Sequence, residues 1–365
     1  MPGRGRTGSV RPCVWRCSAL PSLSLTDSSR PPRSGVVALT SAALASVMLA
    51  GLLTSCGSGG GGSGRSFTVA LTEPDITSVP LMEAVDQVRA AGYDVTIEET
   101  AEPELAVEGL IRGDYQFSAE ATGPALMAIA RGAPLRIVAD MVGNQWAVYG
   151  AAATGDCGDL DGRAFGIFSE GAMATAMVRR WIEEACPEGA RPQFLTIGDS
   201  ETRTQALLGG EITATALEQS DAAHLAKSAK GRSLKRLADF RQVFPGLHPQ
   251  TVYADEGYLE EHPEPAQALI DALIDVQRKI NEEPGHLAGL VREHLPDTYA
   301  EDDLEDIAAP YVEQKLFDAA ALTPAGVQDT IDFFVDTGAI EPMDAAHVAD
   351  LSFLDRNRTK RGGTS

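Results

Sequence analysis

The sequence predicts an α/β protein with two lobes, each a mainly parallel β-sheet flanked by helices, and a helical C-terminal part. Short apolar runs alternate with segments of helical periodicity from residue 67 onward, which is typical of βα units. Of the 365 residues, 310 remain if the chain begins at Cys56, too many for one compact core. Residues 110–120 and 207–218 also share one order of helix end, glycine, acidic residue, short strand and glutamate.

The individual elements follow from this alternation. Strands are predicted at residues 67–71, 94–98, 115–119, 135–141, 163–168, 193–197, 212–217 and 251–255. The first helix carries Leu81, Ala84, Val85 and Val88 at helical spacing, and Gly92 closes it. Further helices are predicted at residues 103–113, 124–132, 171–185, 200–209, 220–229, 265–280, 284–294, 301–312, 323–338 and 344–350.

This order sets the expected domain boundaries. The first lobe takes residues 66–148 and, after the second lobe at 149–251, the helical residues 252–355; residues 356–365 are expected to be a disordered tail. Because the chain must leave the first lobe and return to it, we expect a hinge of two crossover strands near residues 147–150 and 251–255.

The repeated helix-turn-strand order ends in Glu120 in one lobe and in Glu218 in the other. In open parallel sheets, ligands gather at the carboxyl ends of the strands. The matching strand ends therefore predict a ligand-binding cleft between the two lobes.

The N-terminal segment has the pattern of a secretory signal. Residues 36–53 are aliphatic or small and uncharged, and Arg30 and Arg33 precede them. The run ends in Leu53-Thr54-Ser55-Cys56, which is similar to the bacterial lipobox, in which a small residue precedes a cysteine that is lipidated and becomes the new N-terminus. An uncleaved membrane span of about 18 apolar residues is the alternative.

We therefore predict a signal peptide at residues 1–55, palmitate-type lipidation at Cys56, and a glycine/serine tether at 56–65. The first 33 residues are longer than the start of a signal peptide should be, which points to a misassigned translation start. This places the body outside the cytoplasm, anchored by lipid to the outer face of the cell membrane. Residues 1–55 hold six arginines and one aspartate, so the remaining chain has 24 basic and 51 acidic residues, a net charge of −27.

A body this acidic repels nucleic acid and anionic lipid, so nucleic-acid binding is excluded. One basic cluster is interpreted as a solvated helix face with a loop; its members are Lys227, Lys230, Arg232, Lys235 and Arg236.

Cys157 and Cys186 are the two cysteines left after cleavage besides Cys56. Outside the cytoplasm such a pair favours a disulfide, and both cysteines lie at the same end of a predicted strand and its following helix. Closing that loop stabilises the fold by about 3 to 4 kcal/mol in the chain-entropy model. Two cysteines without nearby histidines predict no metal site, and no cofactor is expected.

Five ordered stretches between residues 67 and 255 carry a family resemblance: "FTVALTEPD", "ELAVEGLIRGDYQFS", "MAIARGAPLRIVADM", "GDLDGRAFGI" and "QALLGGEITATALEQSDAA". The chain resembles the type II periplasmic-binding-protein fold, and within it the substrate-binding lipoproteins of ABC importers related to nitrate, sulfonate/taurine and thiamine-precursor binders. It departs from the family's "G-x-hydrophobic-D" pattern at Gln116 and Thr213, with the carboxylates at Asp114 and Glu211 instead.

The resemblance implies capture rather than catalysis. A monomer of this family closes two lobes on a small solute and then docks on ABC permease subunits.

Candidate ligand-binding residues follow the strand ends. They are Thr72, Glu73, Asp75, Glu120, Thr122, Gly123, Asn144, Gln145, Trp146, Ser169, Glu170, Gly171, Asp199, Ser200, Glu218, Gln219 and Ser220. Ser169, Ser200 and Ser220 are also candidates for plain helix caps. Trp146 can stack on a ligand ring or serve only in interlobe packing.

The charges of these loops favour one ligand class. Their carboxylates include Glu73, Asp75, Glu120, Glu170 and Glu218, while Arg203 and His224 lie further along their helices. Carboxylates around an anion would weaken its binding, so we expect a neutral or cationic nitrogen-containing solute, such as an aminopyrimidine. The alternatives are a sulfonate, taurine or nitrate binder, with the acidic side chains facing solvent.

An enzyme of the same fold, from the thiamine-pyrimidine or menaquinone pathway, is the main rival from another class. The first type carries a cysteine cluster that this chain lacks. The six histidines are scattered without H-E-x-x-H spacing, and "GDSET" at residues 198–202 lacks the G-x-S-x-G pattern. A sensor or adhesion module would need a downstream transmembrane or repeat segment, and none is visible.

Overall fold

The computed structural model describes residues 65–72, 74–170, 172–186, 190–228, 234–283 and 285–362. The predicted signal peptide, Cys56 and almost all of the tether lie outside these residues, as do Glu73, Gly171, Lys230 and Arg232.

Ten strands and fourteen α-helices form the described part of the chain. The strands are β1 (Ser66–Thr72), β2 (Asp94–Thr100), β3 (Phe117–Ala121), β4 (Leu135–Val142), β5 (Ala147–Gly150), β6 (Ala164–Ile167), β7 (Gln193–Thr196), β8 (Ala214–Leu217), β9 (Lys235–Asp239) and β10 (Gln250–Asp255). The helices are α1 (Val79–Ala90), α2 (Pro103–Arg112), α3 (Thr122–Ala130), α4 (Met173–Ala185), α5 (Ser200–Gly209), α6 (Gln219–Ser228), α7 (Phe240–Val243), α8 (Glu256–Glu261), α9 (Pro263–Glu282), α10 (His286–His294), α11 (Glu301–Glu313), α12 (Pro324–Asp336), α13 (Ala345–Val348) and α14 (Ser352–Gly362).

Two five-stranded sheets confirm the predicted two-lobed α/β class. The first sheet has the order β2-β1-β3-β10-β4 and the second has the order β7-β6-β8-β5-β9. Three strands of each sheet are parallel neighbours, and one strand, β10 or β5, runs antiparallel between its partners. The two lobes therefore repeat one topology.

The chain crosses between the sheets twice. It leaves the first sheet after β4 and enters the second at β5, through residues 143–146. It returns between β9 and β10, through residues 240–249. Each crossing lies directly before the segment in which we expected it.

The helical C-terminal part covers the first lobe. Helix α9 packs against α1 through a buried apolar face that includes Leu269, Ile270 and Leu273. This stripe follows helical spacing, as the sequence predicts.

Cys157 and Cys186 form the predicted disulfide, with their Cα atoms 5.4 Å apart. Cys157 precedes β6 and Cys186 follows α4, so the bond ties the two ends of one strand-helix unit.

Two expectations are wrong. Residues 356–362 belong to helix α14 rather than to a disordered tail, because Asn357 is buried and its Nδ2 donates to Asp271 Oδ1 at 2.7 Å. Lys235 and Arg236 lie in the edge strand β9 rather than in a helix and loop, and Arg236 pairs with Asp239 at 3.2 Å.

Within the described residues, no helix has the length and apolarity needed to cross a membrane.

Candidate functional site

A cavity of about 330 Å³ lies where the carboxyl ends of strands from both sheets meet. Eight predicted ligand residues line it: Thr72, Asp75, Glu120, Trp146, Ser169, Asp199, Ser200 and Glu218. The cavity is also lined by residues that the strand-end pattern did not predict as ligand residues: Glu104, Phe168, Asp221 and Gln250. The cavity therefore carries six acidic side chains, and Arg203 is the basic side chain among its described lining residues.

Asp75 supplies one acid of the first lobe, from the loop after β1. Its Oδ1 accepts hydrogen bonds from the Thr77 backbone N at 2.9 Å and from Thr77 Oγ1 at 2.6 Å. These bonds fix the carboxyl group in a local turn. Burial raises the pKa of Asp75 despite them.

Glu218 supplies an acid of the second lobe, directly after β8. Burial raises its pKa well above the ordinary value, and the negative charges of Asp75 and Asp221 raise it further. Asp75 of the first lobe and Glu218 of the second lobe line the same cavity. Burial and the negative charge of Asp75 therefore both favour the neutral form of Glu218.

Asp221 lies one helical turn after Glu218, at the start of α6. Ser200 Oγ donates to its Oδ2, and burial raises the pKa of Asp221. Ser200 is therefore no plain cap; the cap of α5 is Asp199, whose Oδ1 accepts from Thr202 N at 2.7 Å. That bond and one from the Thr202 hydroxyl lower the pKa of Asp199.

Arg203 is buried, with 3% of its surface exposed. Its Nε donates to Thr215 Oγ1 at 3.2 Å, and its other nitrogens donate to the carbonyl oxygens of Gly198 and Ala216. Burial lowers its pKa, although Asp221 and Glu218 oppose that shift. Most of its donors are thus engaged by the second lobe itself.

Glu120 lies at the end of β3 and is 8% exposed. Its Oε1 accepts from the backbone N of Thr72, at the end of the neighbouring strand β1. The carboxyl group therefore joins two strands within the first lobe while it lines the cavity.

Two aromatic side chains complete the wall. Trp146 comes from the first crossing and is partly buried, and Phe168 follows β6 with 46% of its surface exposed. Such rings can contact a flat ligand ring, because aromatic rings pack favourably in offset-stacked or edge-to-face pairs.

Seven predicted residues lie outside the cavity lining. Thr122 donates to the carbonyl of His248 at 2.7 Å, Asn144 donates to the carbonyl of Phe240 at 3.2 Å, and Glu170 pairs with Arg179 on the surface. Gly123 packs so closely on Phe334 that a Cβ there would lie 2.8 Å from the ring. The others are Gln145, Gln219 and Ser220.

Gln145 and Ser220 contact helix α11, and Gln219 contacts the residue that follows this helix, rather than the cavity. Ser220 N donates to the hydroxyl of Tyr311 at 3.2 Å, and Gln314 Nε2 donates to Gln219 Oε1 at 3.3 Å. Tyr311 comes from far along the chain, and no local pattern in the sequence marks it.

The acidic side chains do not form a metal site in the described residues, since no group of three His, Cys, Asp or Glu is arranged to hold an ion there.

Solved structures share this fold at low sequence identity. The ligand-binding component of an ABC-type import system from Staphylococcus aureus is 15% identical, with a TM-score of 0.67, covering 80% of this chain and 98% of its own. The periplasmic aliphatic sulphonate binding protein SsuA from Escherichia coli is 15% identical, with a TM-score of 0.63 and coverage of 78% and 92%. The periplasmic nitrate-binding protein NrtA from Synechocystis is 10% identical, with a TM-score of 0.62 and coverage of 81% and 89%.

A search of curated proteins gave no match. A family model described as NMT1/THI5 like matches residues 89–285, more than half of the chain, including the whole of the second lobe. The chain therefore belongs to the NMT1/THI5-like family.

Proposed function

We propose that this chain is the extracytoplasmic solute-binding component of an ABC importer. It captures a small neutral or cationic nitrogen-containing solute, such as an aminopyrimidine, between its lobes and delivers it unchanged to permease subunits. Lipid at Cys56 holds the monomer at the outer face of the membrane.

The meeting of Asp75, Glu218 and Asp221 in the cavity carries this proposal. Three carboxyl groups from two lobes present acceptor oxygens to one space, and burial disfavours their charged forms. A ligand that brings N–H donors or a positive charge stabilises the charged forms of these carboxyl groups, because charge-assisted hydrogen bonds to carboxylates are strong. An anion would meet repulsion from the same groups.

The aromatic wall adds a second argument for a nitrogen heterocycle. Trp146 and Phe168 offer ring faces at the cavity, and such faces attract flat rings and cations. A planar ring with an amino group can use the aromatic faces and the carboxyl groups together.

A sulfonate or nitrate anion is the second candidate. It is favoured by the described ligands of SsuA and NrtA and by the Arg203 guanidinium at the cavity. We rank it second because most donors of Arg203 are engaged by the protein itself.

Thermal-shift screening tests the proposal, since a ligand that binds only the folded chain raises its melting temperature. The purified protein is screened against aminopyrimidines, polyamines, other amines, taurine, sulfonates and nitrate. We expect stabilisation by an amine or aminopyrimidine. Stabilisation by sulfonate or nitrate alone would refute the charge argument, and turnover of any compound would favour an enzyme.

The proposed anchor has its own test. Radiolabelled palmitate should mark the chain in cells, and Cys56→Ala should abolish the label. A labelled Cys56→Ala chain, or a wild-type chain retained unlabelled in the cytoplasm, would contradict the anchor.

A further inference from the structure

Helix α11 reaches from the helical C-terminal part to the second lobe, where it contacts α6. Tyr311 lies on this helix and is fully buried. Its position places one hydroxyl group where three separate segments of the chain meet.

The Tyr311 ring is held on the first-lobe side. It stacks on Phe317 with ring centroids 5.6 Å apart and planes 17° apart. The Phe317 carbonyl accepts from Asn281 Nδ2 of α9 at 2.7 Å, and the Leu316 carbonyl accepts from Gly143 N at 2.7 Å. Since α9 packs on α1, the ring is fixed relative to the first sheet.

The Tyr311 hydroxyl connects this framework to the second lobe. It donates to Gln145 Oε1 in the first crossing and accepts from Ser220 N at the start of α6, at 3.2 Å. Gln145 Nε2 in turn donates to Gln250 Oε1 at 3.2 Å, where the chain re-enters the first sheet. One chain of hydrogen bonds thus joins α6 to both crossings.

We propose that Tyr311 is a positioning residue that latches the two lobes in the arrangement described here through Ser220 and Gln145. Movement of α6 away from α11 breaks the Ser220 bond and leaves buried donors and acceptors without partners, which is unfavourable. Gln250 lines the cavity, so the latch also touches the wall of the solute site. Only the connection from Gln250 to the solute site rests on the proposed function.

The Tyr311 hydroxyl bonds keep their donors and acceptors as pH changes. The hydroxyl keeps its proton, because burial raises its pKa, and the charges of Glu218 and Asp75 act in the same direction. Asp75 and Glu218 line the cavity from different lobes, and their negative charges repel each other. These carboxyl groups therefore change charge with pH, whereas the Tyr311 latch does not.

The test compares Tyr311→Phe with Tyr258→Phe in the full chain without added solute. Tyr258 is a matched control, since its buried hydroxyl has no hydrogen-bond partner among the described residues. We expect Tyr311→Phe to increase amide hydrogen exchange of cleft segments in both lobes, around residues 75–78 and 199–203, by roughly tenfold. Amides in the centre of β1 should stay protected.

Small-angle X-ray scattering on the same samples should show a larger radius of gyration for Tyr311→Phe only. Unchanged exchange at 75–78 and 199–203 and an unchanged radius would overturn the latch, even if the Ser220 amide itself exchanges faster. If Tyr311→Phe does not fold, Gln145→Met removes the other partner and the same outcomes decide. Because no solute is present, an opened variant supports the latch even if no amine binds the wild type.

Discussion

Glu120 and Glu218 end two copies of one structural device, yet they have different roles. Helices α2 and α5 both end at a left-handed glycine, Gly113 with φ 80° and Gly210 with φ 77°, before the strands that lead to the two glutamates. Glu120 accepts from Thr72 N inside its own sheet, whereas Glu218 is buried in the cavity beside the negative charges of Asp75 and Asp221. A repeated backbone therefore places a carboxyl group, while its neighbours decide whether it bonds within its own sheet or is buried among other acids.

The largest predicted difference between the lobes is in their dependence on the disulfide, which lies in the second lobe. Cys157→Ala with Cys186→Ala should lower the free energy of unfolding by about 3 to 4 kcal/mol in the chain-entropy model. Hydrogen exchange should report faster opening of β6 and α4 than of β1 and β2. Equal loss of protection in both sheets would contradict an effect localised to one lobe.

The second prediction concerns solute binding, in which we expect Glu218 to take part directly. Glu218→Gln should weaken binding of a cationic amine or aminopyrimidine roughly 30- to 100-fold, since a charged acceptor for the ligand is lost. Isothermal titration calorimetry measures this, with Glu170→Gln as the control because Glu170 pairs with Arg179 outside the cavity. Equal affinities of the Glu218→Gln and Glu170→Gln variants would argue against a ligand contact at Glu218.

For Glu120, the expected effect is on the stability of the fold. Glu120→Leu should lower the free energy of unfolding by roughly 1–3 kcal/mol, because the Thr72 N–H loses its acceptor. Glu120→Gln keeps an acceptor oxygen and should recover most of that loss in denaturant unfolding. If the leucine variant is as stable as wild type, Glu120 has no structural role at the strand end.

The smallest effect is a gain in stability from neutralising Glu218. Folding raises the pKa of Glu218, so its contribution to stability is present below the unfolded-state value near 4.5 and is lost as pH rises through the raised value. Glu218→Gln avoids this loss and should melt about 2–4 °C higher than wild type at pH 7.5 without solute. The difference should shrink toward pH 4.5; a gap that is constant with pH would exclude titration of Glu218 as its cause.

Much of the fold could be predicted because hydrophobic periodicity is local. The βα units, the long amphipathic helix α9 and the disulfide follow from patterns within about 30 residues. Helix α14 could not be found this way, because its sequence is polar and its support is tertiary: Arg356 Nε donates to Gln267 Oε1 at 2.6 Å, across 89 residues. Strand β9 was missed for a related reason, since its basic residues suit a charged sheet edge rather than a core strand.

Site residues that follow strand ends could be predicted from the sequence. Residues that come from helices far along the chain could not. Thr72, Asp75, Glu120 and Glu218 follow strands, and the structure brings them to one cavity. Asp221 had an available signal, because it follows Glu218 by three residues, in the first turn of the predicted helix after the same strand. Tyr311 had none, since its partner Ser220 lies 91 residues away.

The central claim is that acids from both lobes select a nitrogen-bearing solute over an anion. Calorimetric titration of the wild-type chain with an aminopyrimidine and with a sulfonate of similar size tests it most directly. We predict saturable binding of the aminopyrimidine, tighter at pH 7.5 than at pH 5 because burial raises the pKa of Glu218 and fewer of its carboxyl groups are charged at pH 5, and weak or no binding of the sulfonate. Tight sulfonate binding that strengthens as pH falls, with no binding of the aminopyrimidine, would contradict the claim.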